Sequence, residues 1–306
     1  MSELARARLA LAAVCFFWGT TYLAIHVGVA GLPPLFFCAV RFFIAGTLML
    51  LGALLMGEPL PKGRALADLA LIGFLLLSVG NGFLAWGLKR VPTGAASLII
   101  AATPLWMVIF ARAEGEAVGV RAILGLLLGF AGLAVLVFPD MRVSQSGSGF
   151  IPGVFGLLLA SAAWAWGSIY SKGRSPKDSP IANAAVQMLA GSLFLLAAAL
   201  WHGDAARWAP SVKNWCAIAY LVVFGSIVGY SAYLYALARL PTAQAAVYAY
   251  VNPLVAVALG VLFLGERPDW HVLGALPLVL LGIYLVNTPS KPDALAPGWT
   301  SSRGSA

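Results

Sequence analysis

The sequence has little charge. Only 10% of its 306 residues are Asp, Glu, Lys or Arg, whereas 61% are hydrophobic. Because a soluble domain carries roughly 25% charged residues, this composition indicates a protein whose solvent is a lipid bilayer. The 19 Lys and Arg residues outnumber the 11 Asp and Glu residues, but they lie in short gaps between apolar segments. They form no basic stripe, so nothing in the sequence indicates nucleic-acid binding.

Acidic residues are absent from the interior of the apolar segments. Each of the 11 lies in a predicted loop, in a tail or at a segment end. Coupling of solute movement to protons or sodium usually recruits a carboxylate within the membrane, so the sequence predicts no ion-coupled movement of a solute. His26 is the one alternative titratable group, although its place near a segment end favours an interfacial role.

Metal sites and catalytic motifs are also missing. Cys15, Cys38 and Cys216 are far apart in apolar stretches and form neither a metal-ligand spacing nor a disulfide pattern. The sequence has no His-Glu-x-x-His, Gly-x-Ser-x-Gly or P-loop motif. We therefore expect no enzyme activity, no metal and no cofactor.

Long apolar runs are what the sequence does contain. A membrane-spanning helix needs about 20 mostly apolar residues, and short joints with Gly, Pro or charged residues separate the runs that meet this length. They cover residues 8–28, 33–55, 67–88, 92–112, 119–138, 150–171, 180–201, 215–236, 242–264 and 271–288. The prediction is an all-α, multi-pass membrane protein with ten transmembrane helices, followed by a disordered Pro-, Gly- and Ser-rich tail at 291–306.

The two halves of the sequence resemble each other. A shift of 149 residues aligns the Arg-x-Pro-Thr pattern at 90–93 with the same pattern at 239–242, and it aligns Pro104 with Pro253. Chance matching of apolar residues explains an aligned Leu or Gly, but it poorly explains this pattern together with a mid-helix proline.

We therefore predict two repeats of five helices, at residues 1–145 and 146–290, joined by a flexible linker near 139–149. Because five is odd, the second repeat enters the membrane in the opposite orientation. Inverted repeats of this kind recur in secondary transporters, which bind their substrate at the repeat interface near the midplane. The architecture thus predicts a central cavity between helices 1, 3 and 4 and their counterparts 6, 8 and 9.

The placement of Lys and Arg predicts how the chain crosses the membrane. With the N-terminus in the cytoplasm, 12 of these residues lie inside and 6 outside, and Arg41 lies within a helix. This excess of positive charge inside predicts cytoplasmic N- and C-termini, although the Lys89–Arg90 pair opposes the rule.

Short motifs along both halves resemble the drug/metabolite transporter superfamily, in its ten-helix EamA branch. The resemblance covers roughly residues 8–288 and rests on Phe17–Tyr22, Arg41–Phe42, Pro92–Ala96, Thr103–Pro104, Trp164–Gly167, Pro241–Ala245, Asn252–Leu254 and Gly265–Glu266. Within the branch the chain is most similar to aromatic amino-acid exporters of the YddG type. The resemblance implies export of amino acids, especially aromatic ones, across a bacterial inner membrane; export of other metabolites, drugs or lipids is the alternative.

Aromatic residues of helices 1 and 6 are candidates for the cavity wall. Trp18 and Trp166 are counterparts in the repeat, Tyr22 lies one helical turn after Trp18, and Trp164 and Trp106 are weaker candidates. Trp18 is too deep for the interfacial aromatic belt. Packing against neighbouring helices is one interpretation, and the other is a pocket for a flat aromatic substrate or its ammonium group.

Polar residues deep in the predicted helices complete the candidate site. Gln244, Tyr248 and Asn252 recur every four residues in helix 9 and share one face. They can line a cavity or form hydrogen bonds between helices. The remaining polar candidates are Asn81, Thr103 and Tyr230.

Arg41 and two prolines raise separate possibilities. Arg41 can pair with a substrate carboxylate, or it can extend toward the membrane surface or bond backbone carbonyls to fix helix 2. Pro104 and Pro253 each remove a helix hydrogen bond and are predicted hinges for a rocking motion. The Gly125-x-x-x-Gly129 pattern permits close helix packing, for which the interior of a monomer is the expected place.

Overall fold

The computed structural model of the chain describes residues 1–29, 31–91, 96, 99–143, 149–176, 179–252, 254–255, 258 and 270–288. Within these ranges all regular secondary structure is helical. This confirms the all-α part of the prediction. The predicted tail at 291–306 lies outside the described residues.

The helices of the first half follow the apolar runs. They are α1 (Glu3–Gly28), α2 (Pro34–Leu55), α3 (Arg64–Gly87), α4 (Thr103–Ala113) and α5 (Val120–Val143). Ser2 caps α1 by accepting a hydrogen bond from the Ala5 amide. Pro34 begins α2. Proline suits this position because the N–H that it lacks would have no intrahelical acceptor in the first turn.

Further helices follow in the second half. They are α6 (Phe150–Arg174), α7 (Pro180–Trp201), α8 (Val212–Arg239), α9 (Thr242–Ala245, with 248–252 helical again after a turn) and α10 (Trp270–Asn287). Ser179 caps α7, and Ser211 with Asn214 forms a capping box at the start of α8.

Several helix limits differ from the sequence prediction, and two of the differences involve a proline. The helix α5 continues to Val143, five residues past its predicted end, and so runs through Pro139. In the fourth predicted segment the chain turns at 101–102, and α4 begins anew with Pro104 in its first turn. Pro253 lies outside the described residues.

Five of the described helices are long and apolar enough to cross a bilayer. They are α2, α3, α6, α7 and α8, with mean hydropathies of 1.5 to 2.1 over an 18-residue window. Large apolar side chains cover their outer surfaces, as expected where the solvent is lipid. The chain is therefore built to lie in a membrane.

Both halves contain a π-helical segment inside a long helix. Phe74–Asn81 is π-helical within α3, and Leu221–Val228 is π-helical within α8. The first segment ends directly before Gly82 and the second directly before Gly229. Since π-helical turns are rare and occur mostly at functional sites, these two segments direct attention to the space between α3 and α8.

The helices pack in pairs drawn from the two halves. The helix α2 lies along α7, α5 along α10, α1 against α8, and α3 against α6. At the crossing of α3 and α7, Gly73 meets the backbone of Gln187, and a Cβ atom would have no room there. Glycine thus allows the close approach of α3 and α7. The paired helices border a space between the two halves.

Candidate transport cavity

A cavity lies between the two halves of the helix bundle. Its empty volume is about 880 Å³ including the mouth, and the centre of a water molecule can occupy about 100 Å³ of it. The described residues that line it are Trp18, Thr21, Ile25, Arg41, Phe42, Leu77, Gly80, Asn81, Leu84, Ile100, Ala101, Thr103, Ala160, Ser161, Trp164, Gly225, Tyr230, Tyr248, Ala249 and Asn252. None of them is acidic.

The cavity lies toward one end of the bundle. We call the end where α1 begins and α8 ends the N-terminal end; there Arg239 Nε contacts Glu3 Oε1 at 2.8 Å. The lining residues of α1 and α3 lie in the C-terminal halves of those helices, and those of α2 lie near its start. All three positions are remote from the N-terminal end, so the cavity lies in the opposite half.

Four aromatic rings pack together at the base of the cavity toward the N-terminal end, and three of them, Trp18, Trp164 and Tyr248, line it. Trp18 meets Trp164, Tyr233 and Tyr248 at ring-centroid distances of 5.5, 5.1 and 5.2 Å. We call these four residues the aromatic cluster. The hydroxyl of Tyr233 lies 2.6 Å from Ser168 Oγ, which ties the cluster to α6. Edge-to-face packing fixes such rings, and they present flat apolar surface to whatever enters.

The indole groups of the cluster differ in their hydrogen bonds. Trp18 Nε1 donates to the Gly225 carbonyl oxygen at 3.0 Å, inside the π-helical segment of α8. The Nε1 of Trp164 is buried and makes no hydrogen bond of normal geometry in the described structure; the electrostatic partner of its N–H is the Tyr233 hydroxyl.

Polar side chains surround the space above the aromatic cluster. The amide nitrogen of Asn252 donates to the carbonyl oxygens of Tyr248 and Cys15 at 3.0 and 3.1 Å, with the amide orientation assigned from these partners. Asn81 Nδ2 donates to the Leu76 carbonyl at 3.2 Å, within the π-helical segment of α3. These bonds hold each amide in place, so each asparagine offers its remaining polar atoms in a fixed position.

Two further polar candidates border the same space. Thr103 Oγ1 donates to the Ile100 carbonyl at 2.6 Å. The Tyr230 hydroxyl donates to Gln187 Oε1 at 2.7 Å, and both of those side chains are buried. Of the predicted site residues, the structure thus brings six to one cavity: Trp18, Asn81, Thr103, Tyr230, Tyr248 and Asn252.

Two predicted site residues lie elsewhere. Trp166 is 47% exposed on the outer face of α6, and Trp164 lines the cavity instead. Residues two apart in a helix point in nearly opposite directions, and a repeat shift of 146 rather than 148 makes Trp164 the counterpart of Trp18. Gln244 lies in the first turn of α9, away from the lining, because the turn at 246–247 breaks the helical phase.

The side chains of Tyr22 and His26 lie outside the described part of the structure. Pro104 is described, and it follows the turn at 101–102 directly. Its role as a hinge remains a prediction, as does that of Pro253.

The sequence reasoning missed several lining residues of small size. Gly225 and Gly229 admit Arg41 and Trp18, since a Cβ on either glycine would collide with those side chains. Gly80 lies similarly close to the ring of Trp164. Gly80 and Gly229 are counterparts under the shift of 149 residues, which was the available signal, but their contacts with Trp164 and Trp18 depend on tertiary packing.

A polar network links several elements at the N-terminal end of the bundle. Lys172 Nζ, at the end of α6, donates to Glu116 Oε2 at 2.9 Å and to Thr242 Oγ1 at 3.1 Å. The Thr242 amide donates to Glu116 Oε1 at 2.9 Å, and its hydroxyl donates to Glu116 Oε2 at 2.6 Å. We call Glu116, Lys172 and Thr242 the inner network. It joins the α4–α5 connection to α6 and α9.

The inner network stabilises an ionised Glu116. Burial raises the pKa of this carboxyl, but the hydrogen bonds from Thr242 and Lys172 outweigh burial, so the pKa lies below its ordinary value. The network therefore holds at neutral pH.

At the other end, Lys89 Nζ donates to the Leu32 carbonyl at 2.9 Å, and burial lowers the pKa of its ammonium group. Lys89 thus bonds the α1–α2 connection there, which gives it a structural role. In the described part of the chain no three His, Cys, Asp or Glu side chains come together as a metal site would require.

Comparison with known proteins identifies the family. The model of the EamA-like transporter family matches residues 6–138 and again residues 151–288. The chain belongs to the EamA-like transporter family. It is a membrane transporter, and the motif resemblance to the EamA branch is confirmed.

Individual relatives of the EamA-like transporter agree with this. The chain is 38% identical over 291 residues to the uncharacterized inner membrane transporter YedA of Escherichia coli (strain K12), covering 92% of each chain. It is 28% identical over 302 residues to a probable terminal-alkyne amino-acid exporter of Streptantibioticus cattleyicolor, covering 97% of this chain and 99% of that one. A solved crystal structure matches with a TM-score of 0.74 at 21% identity, covering 92% of this chain and 97% of the other, which shows a shared fold.

Proposed function

We propose that this EamA-like transporter exports amino acids, with aromatic ones preferred, across a bacterial inner membrane. The observation that carries the proposal is the cavity itself, in which the aromatic cluster lies below a ring of fixed polar groups. An aromatic amino acid offers one flat apolar part and one polar, zwitterionic part, which complement these two surfaces. A relative described as a probable amino-acid exporter supports the same substrate class.

The transport cycle we propose is alternating access between two inverted five-helix halves, 1–145 and 146–290. The cross-half pairs α2–α7 and α5–α10 support this symmetry, as do the π-helical segments of α3 and α8. The excess of Lys and Arg on one side supports cytoplasmic termini. With that orientation the cavity faces outward, and the inner network closes the cytoplasmic side.

The cycle we propose is facilitative or an exchange, without an ion gradient. None of the described lining residues is a carboxylate, and an intramembrane carboxylate is the usual carrier of coupled protons or sodium. A substrate would then move down its own gradient, from the cytoplasm outward, while the chain acts as a monomer.

A competition assay tests the substrate class. Purified protein in liposomes is given radiolabelled phenylalanine together with an excess of tyrosine, tryptophan, leucine, glutamate or lysine. We expect saturable uptake that tyrosine and tryptophan inhibit more strongly than the other three, because only they fit the aromatic cluster. Saturable uptake of a drug or lipid probe with no amino-acid uptake would contradict the proposal and favour the alternative substrates.

A further inference from the structure

Arg41 is a buried cation without a carboxylate partner in the described structure. Its side chain lies in α2 at 5% exposure, and its Nε donates to Ser226 Oγ of α8 at 3.0 Å. The ion pairs of the described residues involve Glu116, Asp204 and Glu3, each with a different cation. An unpaired charge within a membrane protein is costly, so a ligand carboxylate that reaches Arg41 would offset that cost.

The guanidinium group of Arg41 borders the cavity. Both Arg41 and Gly225 are lining residues, and a Cβ on Gly225 would lie 2.7 Å from an amino nitrogen of Arg41. The absence of a side chain at Gly225 therefore makes the room that the guanidinium occupies. Phe42 supports the group from one side, with the guanidinium carbon 4.7 Å from its ring centroid.

Most donors of Arg41 remain available to a ligand. A guanidinium carries five N–H donors, and the hydrogen bond to Ser226 uses the one on Nε. No described acceptor bonds either amino nitrogen of Arg41, and both amino nitrogens keep some accessible surface. They therefore reach the open space of the cavity.

The other interpretations of Arg41 fit this geometry poorly. Extension toward the membrane surface would leave the side chain exposed, whereas it is buried and bonded to a helix of the other half. Bonding of backbone carbonyls would appear as hydrogen bonds to main-chain oxygens, and Arg41 makes none within the described ranges. A bidentate partner with two oxygens suits the free edge of the guanidinium best.

We propose that Arg41 binds the carboxylate of the transported molecule and selects substrates that carry one. The fixed orientation set by Ser226 presents the amino nitrogens as a fork to the two carboxylate oxygens. The aromatic cluster then receives the flat apolar part of the same molecule. This inference rests on the proposed function, in which the cavity binds the transported molecule. It adds that this molecule carries a carboxylate.

Three small ligands test the inference, each differing by one group. They are L-phenylalanine, L-phenylalanine amide without the carboxylate, and 3-phenylpropionate without the ammonium group. Their affinities are measured by displacement of labelled ligand, or by tryptophan fluorescence, on the purified full-length protein. We expect the wild type to bind both carboxylates about 30-fold more tightly than the amide, as a charge-assisted hydrogen-bonded pair would give.

Variants at position 41 separate binding from a structural role. Arg41→Gln is expected to bind the amide and the acid within about threefold of each other, while Arg41→Lys keeps part of the preference because it keeps charge without the fork. Arg90→Gln, an exposed arginine over Trp86, is the matched control and should keep the full preference. Equal weakening of all three ligands in Arg41→Gln would show a structural role and overturn the inference.

The outcomes also distinguish this inference from the proposed function. Binding of 3-phenylpropionate without binding of any amino acid would overturn the amino-acid assignment and keep the role of Arg41. Transport of phenylalanine that its amide inhibits equally well would keep the assignment and overturn the role of Arg41. A wild type that binds none of the three ligands would overturn both.

Discussion

Replacing Trp164 with alanine is expected to lower transport about 30-fold, whereas replacing Trp166 with alanine should leave it within about twofold. The two residues have the same type and the same helix, but they lie on opposite faces. Trp164 lines the cavity and packs against Trp18 and Tyr233, while Trp166 is 47% exposed on the outer face. Truncation of a central buried aromatic contact typically costs about 2 kcal/mol or more of binding.

The measurement is initial uptake of labelled phenylalanine into liposomes with matched amounts of each variant. Trp164→Phe provides a second readout, since it keeps an aromatic ring and should retain part of the activity. Thermal unfolding of each variant in detergent shows whether the bundle is intact. Equal activity of the two alanine variants, with both folded, would remove the aromatic cluster from the transport path.

Removing the charge of Glu116 is expected to open the N-terminal end of the bundle. Glu116→Gln loses the ion pair with Lys172 and weakens the bonds from Thr242. Hydrogen bonds to charged groups contribute roughly 1.5–3 kcal/mol. The ratio of the closed state, in which the inner network is formed, to the open state should therefore fall about tenfold or more. The readout is hydrogen–deuterium exchange of peptides from the end of α6, which we expect to accelerate by a similar factor.

The inner network also predicts a pH dependence. Because the pKa of Glu116 is lowered in the closed state, the network stabilises that state fully above the ordinary carboxyl value of 4.5 and loses this effect as the pH falls through the lowered pKa. After division by the intrinsic amide exchange rate at each pH, the protection of the wild type should therefore approach that of Glu116→Gln at acidic pH, and the protection of the variant should change little. Glu114→Gln, an exposed neighbour, is the control. Identical exchange in wild type and Glu116→Gln at neutral pH would contradict the role of the network.

The helices could be predicted from the sequence because the main signal is the length of the apolar runs. An apolar run of about 20 residues in a chain with so little charge has few places to lie other than across a membrane. The five helices that are long and apolar enough to span all coincide with predicted runs. What the runs did not indicate were the π-helical segments of α3 and α8, since a widened turn leaves no mark on hydropathy.

The candidate site was predictable where the helical phase was regular. Tyr248 and Asn252 share a face and both line the cavity, whereas the turn at 246–247 takes Gln244 out of that face. The choice of Trp166 over Trp164 was an error of two residues in the repeat alignment, and two residues reverse a helix face.

Arg41 shows a different limit. Its alternatives stayed open because its partner, Ser226, lies 185 residues away in the sequence. No local pattern around Arg41 indicates that contact, and only the packing of α2 against α8 creates it.

Counterflow into proteoliposomes is the most direct test of the central claim that this EamA-like transporter carries amino acids by alternating access. Liposomes containing the purified protein are loaded with unlabelled phenylalanine, diluted into trace labelled phenylalanine, and kept free of ion and pH gradients. We expect a transient accumulation of label above equilibrium, because each unlabelled molecule that leaves is exchanged for a labelled molecule that enters. Label uptake that is unaffected by the internal substrate would contradict the claim, and so would accumulation in substrate-free liposomes when a pH gradient is imposed in a separate run.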